Sequence, residues 1–237
     1  DETEFSGTVM VKIAVFEEST ESVCKDIGKG FAKWLYKKTG KKALRVSVGR
    51  DSRLSGETLV RYISTAMANQ GILVTDFGMA STPAMFMSTV TEGYEFDGAV
   101  MVTASHLPFN RNGFKFFTKN GGVESSDVKE IIAFAEMQDD TKIEGGSITE
   151  GSFMDKYSEI LADKIRIATG EEKPLEGFKI VVDAGNGAGG FYVDKVLKPL
   201  GANTEGSRYL DPDGSFPNHI PNPEDKTAMA SIMEAVA

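Results

Sequence analysis

The spacing of apolar positions along this chain changes at intervals, and each change marks an element. From Ser22 to Thr39 the residues Val23, Ile27, Phe31 and Leu35 recur every four positions, the spacing of one helix face. Ala43 to Val48 then alternates toward a strand that ends at Gly49. Ser55 or Gly56 stands where a helix running to about Asn69 would be capped. Gly71 to Phe77 is the next strand. Ser81-Thr82-Pro83 signals a helix start, with Pro83 at the first helical position and an end near Val90. Gly98 to Thr103 reads as a covered strand, and Ser126 opens a helix through Met137. Strands alternate with helices long enough to serve as crossovers. The pattern predicts a layered α/β/α domain with a mixed, mostly parallel sheet.

The polar, glycine-containing stretch from Gln138 to Gly151 reads as a surface connection. Phe153 to Ala168 is helical, with Phe153, Tyr157, Ile160, Leu161 and Ile165 in register. A second βα pattern follows: a strand over Phe178–Asp183, a glycine-rich turn, and a helix from about Phe191 to Leu200. The boundary is expected between about residues 145 and 175, giving domains over residues 1–150 and 151–237. The second would be an incomplete α/β domain of the same type, because only about one βα unit and a long proline-rich loop follow.

Composition narrows the function classes. With 237 residues, 41% of them hydrophobic, the chain can build a sizeable core. A formal charge of −9 argues against general nucleic-acid or membrane binding. It leaves room for a small anionic substrate in a locally basic cleft. The single cysteine, Cys24, rules out an intrachain disulfide framework. It shares a helical pattern with Ile27, Phe31 and Trp34, so a packed thiol is expected. No apolar run approaches the roughly 18–20 residues of a membrane span, no secretory h-region opens the chain, and the first residue is Asp1 rather than Met. The expectation is a soluble intracellular protein of the cytoplasm or, alternatively, the plastid stroma.

Chemistry concentrates in Val102-Thr103-Ala104-Ser105-His106-Leu107-Pro108-Phe109-Asn110-Arg111-Asn112-Gly113-Phe114-Lys115-Phe116-Phe117. A serine, a histidine and a lysine fall in a turn-rich segment between two apolar runs. Ser105 sits where a strand ends, a frequent place for ligand chemistry in α/β sheets. The segment admits two readings: a strand–turn–strand with a hydroxyl in the turn, or a phosphoryl-transfer site. Gly49-Arg50-Asp51-Ser52-Arg53-Leu54-Ser55-Gly56 is either a solvated loop with a cap or an arginine fork that neutralises phosphate or orders a neighbouring loop. In Ala184–Gly190, the glycines Gly185, Gly187 and Gly190 fit a dinucleotide fingerprint. Gly189 is extra, however, and the acidic residue some 20 positions on, Glu205, falls in a loop. A tight turn for helix–strand packing competes with that reading. Asp211-Pro212-Asp213-Gly214-Ser215-Phe216-Pro217-Asn218-His219-Ile220-Pro221-Asn222-Pro223 offers Asp211, Asp213 and His219, in a spacing that matches no metal-ligand pattern. A structured surface loop is expected.

Together these segments resemble the α-D-phosphohexomutases, the phosphoglucomutase and phosphomannomutase enzymes. Thr103-Ala104-Ser105-His106-Leu107-Pro108 is similar to their phosphoserine signature T-A-S-H-N-P, and Asn112-Gly113-Phe114-Lys115 to its N-G-x-K continuation. Val48–Gly56 resembles V-G-R-D-S/T-R-x-S, and Val182–Gly189 the opening of the family's second domain. The likeness runs along essentially the whole chain.

The resemblance implies a four-domain enzyme that moves a phosphoryl group between the C1 and C6 oxygens of a hexose phosphate, by way of a phosphoserine and a hexose bisphosphate. Ser105 would carry the phosphate, His106 and Lys115 would be its acid–base and electrostatic partners, and Arg50 and Arg53 would hold the loop and its charge. Mg2+ is implied for the full enzyme, with Ser105 ligating it through the phosphate. The family's D-x-D-x-D-R ion loop does not occur before Ala237, so this portion alone is expected to lack mutase activity. Two further departures stand out: Ser6-Gly7-Thr8 is followed by no arginine of the G-T/S-x-x-x-R-G type, and Leu107 replaces asparagine. Two other classes stay open. One is a non-catalytic relative acting as a binding or scaffold protein. The other is a nucleotide-binding oxidoreductase built on the Gly185–Gly190 turn.

Overall fold

The computed structural model describes residues 10–14, 20–137, 139 and 141–236. The chain divides into two compact units. The first comprises residues 1–51, 55–104 and 110–152; the second comprises residues 52–54, 105–109 and 153–237.

The first unit is built on a seven-stranded sheet. Its elements are β1 (Met10–Ala14), α1 (Thr20–Thr39), β2 (Arg45–Arg50), α2 (Gly56–Ala68), β3 (Leu73–Met79), α3 (Thr82–Met87), β4 (Gly98–Val102), β5 (Arg111–Thr118), β6 (Gly121–Gly122), α4 (Ser125–Ala135) and β7 (Ser147–Glu150). The sheet order is β1-β5-β4-β2-β3-β7, with β6 beside β5. The block β4-β2-β3-β7 is parallel, and β1, β5 and β6 join antiparallel. All five residues of β4, at the middle of the sheet, are buried. A parallel strand covered on both faces reads as such an unbroken apolar run.

Helix packing follows the expected periodicity except at the start of α1, where Val23 is exposed and Cys24 is buried in its place. Cys24, Ile27, Phe31 and Leu35 of α1 are buried in one core with Ile63 and Met67 of α2, Ile131 of α4, and Phe114 and Phe116 of β5. Phe31 stacks on Phe116 at 4.5 Å between ring centres. Burying each such ring contributes ~1.5–3 kcal/mol. At Gly30 a β-carbon would stand 2.4 Å from the carbonyl oxygen of Ile131, so α1 and α4 meet closely only because that position lacks a side chain. Burial pushes the Cys24 thiol up to about 12, as suits a packed thiol.

Three local expectations need correction in this unit. Ser55 precedes α2 but makes no side-chain cap there; its hydroxyl accepts from Asn112 Nδ2 at 2.9 Å instead. The α4 helix starts at Ser125 after Glu124, whose N–H donates to Asp127. Within the polar connection, Ser147–Glu150 forms a strand that pairs in parallel with β3. All four of its residues are exposed, so no buried face imposed an alternation.

The second unit holds α5 (Met154–Thr169) and α6 (Lys226–Val236). α5 ends at Gly170 in the left-handed conformation that favours glycine. Ala162 of α5 packs with Val196 and Leu200, flanked by Leu161, Ile165, Phe191 and Tyr192. The helix expected over residues 191–200 is instead a short 3-10 turn, Ala188–Gly190, followed by a π-helical turn, Val193–Leu197. Glycines at its start have little helical preference, and Gly190 is backed against the chain at Leu210. The strand expected over Phe178–Asp183 is reduced to two isolated parallel bridges, Lys179 to Asn203 and Asp183 to Arg208. Between them the partner segment turns, Ser207 N–H donating to Thr204 O. The Ser207 hydroxyl therefore takes the Val182 N–H in place of a backbone oxygen. Among the described residues, no helix is long and apolar enough to cross a membrane.

Candidate active site

Two loops leave the carboxyl ends of neighbouring parallel strands, the usual position for a site in an α/β sheet. The loop after β2 carries Asp51 to Ser55, and the loop after β4 carries Thr103 to Asn110. Their roots are joined: the Asp51 N–H donates to Val102 O at 3.1 Å, and the Thr103 hydroxyl donates to Asp51 Oδ2 at 2.6 Å. On the returning strand, Asn112 is fully buried and accepts from the Gly113 N–H at 2.9 Å.

Ser105 is exposed and takes φ of +56°, in the left-handed region that a serine adopts at a cost. Its loop is held by Arg53, which is only 1% exposed. Arg53 Nη2 donates to the carbonyls of Ser105 at 2.9 Å and Leu107 at 2.7 Å, and Nη1 to that of Pro108 at 2.7 Å. A planar fork with several fixed donors suits this task in a way that an ammonium does not. Arg50 turns elsewhere. Its guanidinium pairs with Glu57 at 2.5 Å and donates to Asp51 O at 3.2 Å. The structure thus brings Arg53 to the serine loop and engages Arg50 with the start of α2.

His106 is exposed beside Ser105. Lys115 lies on β5 in the first unit, paired across the sheet with Met101 and Met10. Burial lowers its pKa below the usual lysine value, and the negative charge of Asp51 opposes that shift in part. A lowered lysine pKa is the direction that favours accepting a proton.

The glycine-rich turn does not have the open form of a dinucleotide cradle. Gly185 and Asn186 are both left-handed, at φ of +52° and +58°. Asn186 Nδ2 donates to Asp211 O and its Oδ1 accepts from Asn218 Nδ2. A β-carbon at Gly190 would fall 1.9 Å from Leu210 O. The turn is filled by the chain's own 208–219 segment, which corrects the nucleotide reading in favour of packing. His219 and Asp211 do not converge with Asp213. His219 Nε2 instead meets Asp183 Oδ1 at 3.0 Å, and Asp183 Oδ2 accepts from the Ser231 hydroxyl at 2.5 Å. Asp213 accepts from Ser215.

Among the described residues, no group of three or more His, Cys, Asp or Glu side chains could hold a metal. These residues do not by themselves make a site for the Mg2+ that the resemblance implies. Residues 6–9, which the resemblance would follow with an arginine, lie outside the described residues.

Sequence reasoning missed the Thr103–Asp51 bond and the internal bonding of Asn186. The second had a signal, since Asn is the residue best able to adopt the left-handed conformation after glycine.

Fold and site together define a layered α/β protein with a serine-bearing loop at the carboxyl edge of its sheet. The description "Phosphoglucomutase/phosphomannomutase, alpha/beta/alpha domain I" matches residues 7–142, and that of domain II matches residues 155–237. The chain belongs to the phosphoglucomutase/phosphomannomutase family. It is 33% identical over 212 residues to a phosphoglucomutase of Neisseria meningitidis serogroup B, covering 89% of this chain and 43% of that one. It is 30% identical over 235 residues to a probable phosphoglucosamine mutase of Methanosphaera stadtmanae, covering 97% of this chain and 49% of the relative. A crystal structure of a phosphoglucomutase/phosphomannomutase family protein from Burkholderia thailandensis aligns with a TM-score of 0.78 at 27% identity, over 96% of this chain and 48% of that one. The chain therefore spans less than half the length of each of these relatives.

Proposed function

We propose that this chain carries the phosphoryl-transfer half of a hexose-phosphate mutase, with Ser105 as the phosphoryl carrier. The observation that carries this reading is Ser105 itself, which is exposed, left-handed and has its loop carbonyls gathered on a buried arginine. A phosphoserine brings about −1.5 to −2 charges at neutral pH and needs both access and a fixed position. Phosphoryl transfer is mostly positioning and charge stabilisation.

In the proposed reaction a sugar hydroxyl oxygen attacks the phosphorus, the bond from phosphorus to Ser105 Oγ breaks, and Oγ takes a proton from His106 as it leaves. The hydroxyl proton passes to Lys115, whose burial favours the neutral amine. The bisphosphorylated sugar turns over, its other phosphate returns to Ser105 Oγ, whose proton goes back to His106, and Lys115 gives its proton to the sugar oxygen. His106 is the neighbouring acid–base partner, Arg53 fixes the loop, and Arg50 adds a second cation at the strand edge. A bound divalent ion would supply further charge neutralisation at the phosphate, with Ser105 as the one ligand named in this chain. The residues 1–150 and 151–237 are taken as the first two domains of the enzyme.

The intact mass of the purified chain tests the carrier directly: a phosphate on Ser105, absent from Ser105→Ala, is expected. In the protein with its complete sequence, Ser105→Ala should lower turnover of hexose phosphates by roughly a thousandfold or more. Wild-type turnover by that variant would overturn the reading. The 237-residue chain alone is expected to interconvert no hexose phosphates.

A further inference from the structure

The proline-punctuated loop over residues 211–223 has no part in the reaction above, yet it touches the residue that holds the serine loop. We propose that this loop is a positioning element for Ser105, acting through Arg53, with Phe216 as its principal residue. The Arg53 guanidinium carbon lies 5.4 Å from the centre of the Phe216 ring. Three of the five in-plane N–H donors of that guanidinium go to the carbonyls of Ser105, Leu107 and Pro108. An aromatic ring facing a guanidinium attracts its charge through the ring quadrupole and replaces water there. The ring therefore fixes the plane of the fork, and the fork fixes three carbonyls of the serine loop.

The loop is itself built to hold that ring. Phe216 is left-handed, at φ of +50°, a conformation a bulky residue keeps only when its surroundings impose it. Its N–H donates to Asp213 O at 3.0 Å, and the Asp213 N–H donates to Asn186 O at 2.8 Å. Two residues before the ring, Gly214 lies against the chain that carries Arg53. A β-carbon at Gly214 would stand 2.3 Å from Ser52 O and 2.6 Å from Leu54 N. Phe216 is half-buried, so shortening it leaves the hydrophobic core of the unit in place.

Amide hydrogen exchange of this chain reads the proposal without reference to activity. Phe216→Leu should raise exchange over residues 103–110 by about fivefold to tenfold, because a ring facing a desolvated cation is lost. Phe216→Tyr, which keeps the ring, should restore the wild-type rate, and exchange in α5 should not change in either variant. Gly214→Ala should produce the same loop-confined rise, and it carries the test should the leucine variant fail to fold. Unchanged exchange over 103–110, or a rise shared equally by α5, or a tyrosine variant no better than leucine, would overturn the proposal. A second arm rests on the mutase reading: in the complete enzyme Phe216→Leu should lower kcat several-fold at unchanged KM. Failure of that arm alone, with the exchange result intact, would count against the phosphoserine chemistry and not against the positioning.

Discussion

Ser105 and Asn186 adopt nearly the same backbone conformation, at φ of +56° and +58°, in two turns of the same unit. They reach it by opposite means. Asn186 is 8% exposed and its side chain closes the turn from within, donating to Asp211 and accepting from Asn218. Asparagine is also the non-glycine residue least opposed to that conformation. Serine lacks that conformational preference. Its strain is held from outside by Arg53, through the backbone, and its side chain is exposed to solvent. One turn buries its central side chain; the other keeps its central residue exposed to solvent.

The difference is tested most severely by removing the external clamp. Arg53→Ala would leave three part-buried carbonyls without that donor. A loss of about 3 kcal/mol or more in urea unfolding is expected, since each unsatisfied buried group costs ~1–3 kcal/mol. Arg53→Lys should recover less than half of it, because an ammonium cannot reproduce the fork. A loss under about 1 kcal/mol for Arg53→Ala would mean that the loop is held by something else.

The internal clamp should cost somewhat less. Asn186→Ala removes two hydrogen bonds and puts a residue less tolerant of the left-handed conformation in the turn, for about 2–3 kcal/mol. Asn186→Gly keeps the backbone preference and loses only the bonds, so it should cost about 1 kcal/mol less than alanine. Equal losses would show that the conformation carries no strain there. Ser105→Gly should behave in the opposite sense. It removes the β-carbon from a left-handed position, and should raise stability by about 0.5 kcal/mol. Destabilisation by as much as Asn186→Gly would erase the distinction between the turns.

Which parts of this were readable in advance follows from burial. Phe31 and Leu35 on α1, or the covered run of β4, announced their elements because the core imposes a period on residues it covers. Ser147–Glu150 announced nothing, being an exposed edge strand. The 178–183 segment has the composition of a strand, and its ladder is broken by a turn in the partner chain 204–207 that no local pattern encodes. At the site, Ser105, His106, Lys115 and Arg53 were legible as a resemblance because they fall in contiguous motifs. The separate tasks of Arg50 and Arg53 were not, since both are arginines three residues apart. Only the fold turns one toward Glu57 and the other toward the serine loop. Phe216 was hidden for the same reason: its partner is more than 160 positions away in the chain.

The smallest expected effect separates the two clamps by their response to pH. Arg53 stays charged at every accessible pH, so the destabilisation caused by Arg53→Ala should not vary between pH 5 and 9. Near the Asn186 turn, His219 and Asp183 face each other, with Asp225 close enough to add negative charge. Burial alone would lower His219, but the Ile220 carbonyl and the Asp183 carboxylate outweigh it and leave its pKa above the ordinary value. Burial alone would raise Asp183, but the Ser231 hydroxyl, His219 and the Gly185 N–H leave it below. The raised histidine contributes stability that is complete below its unfolded pKa of about 6.5 and is lost as pH rises through the folded value. The depressed aspartate contributes stability that is complete above about 3.9 and is lost as pH falls through the folded value. The pair should therefore stabilise most between about pH 4.5 and 6. His219→Gln should cost more stability at pH 5.5 than at pH 8.5, read from urea midpoints at each pH. A cost that is constant over that range, or that grows with pH, would show that His219 acts in its neutral form and that the pair is a plain hydrogen bond.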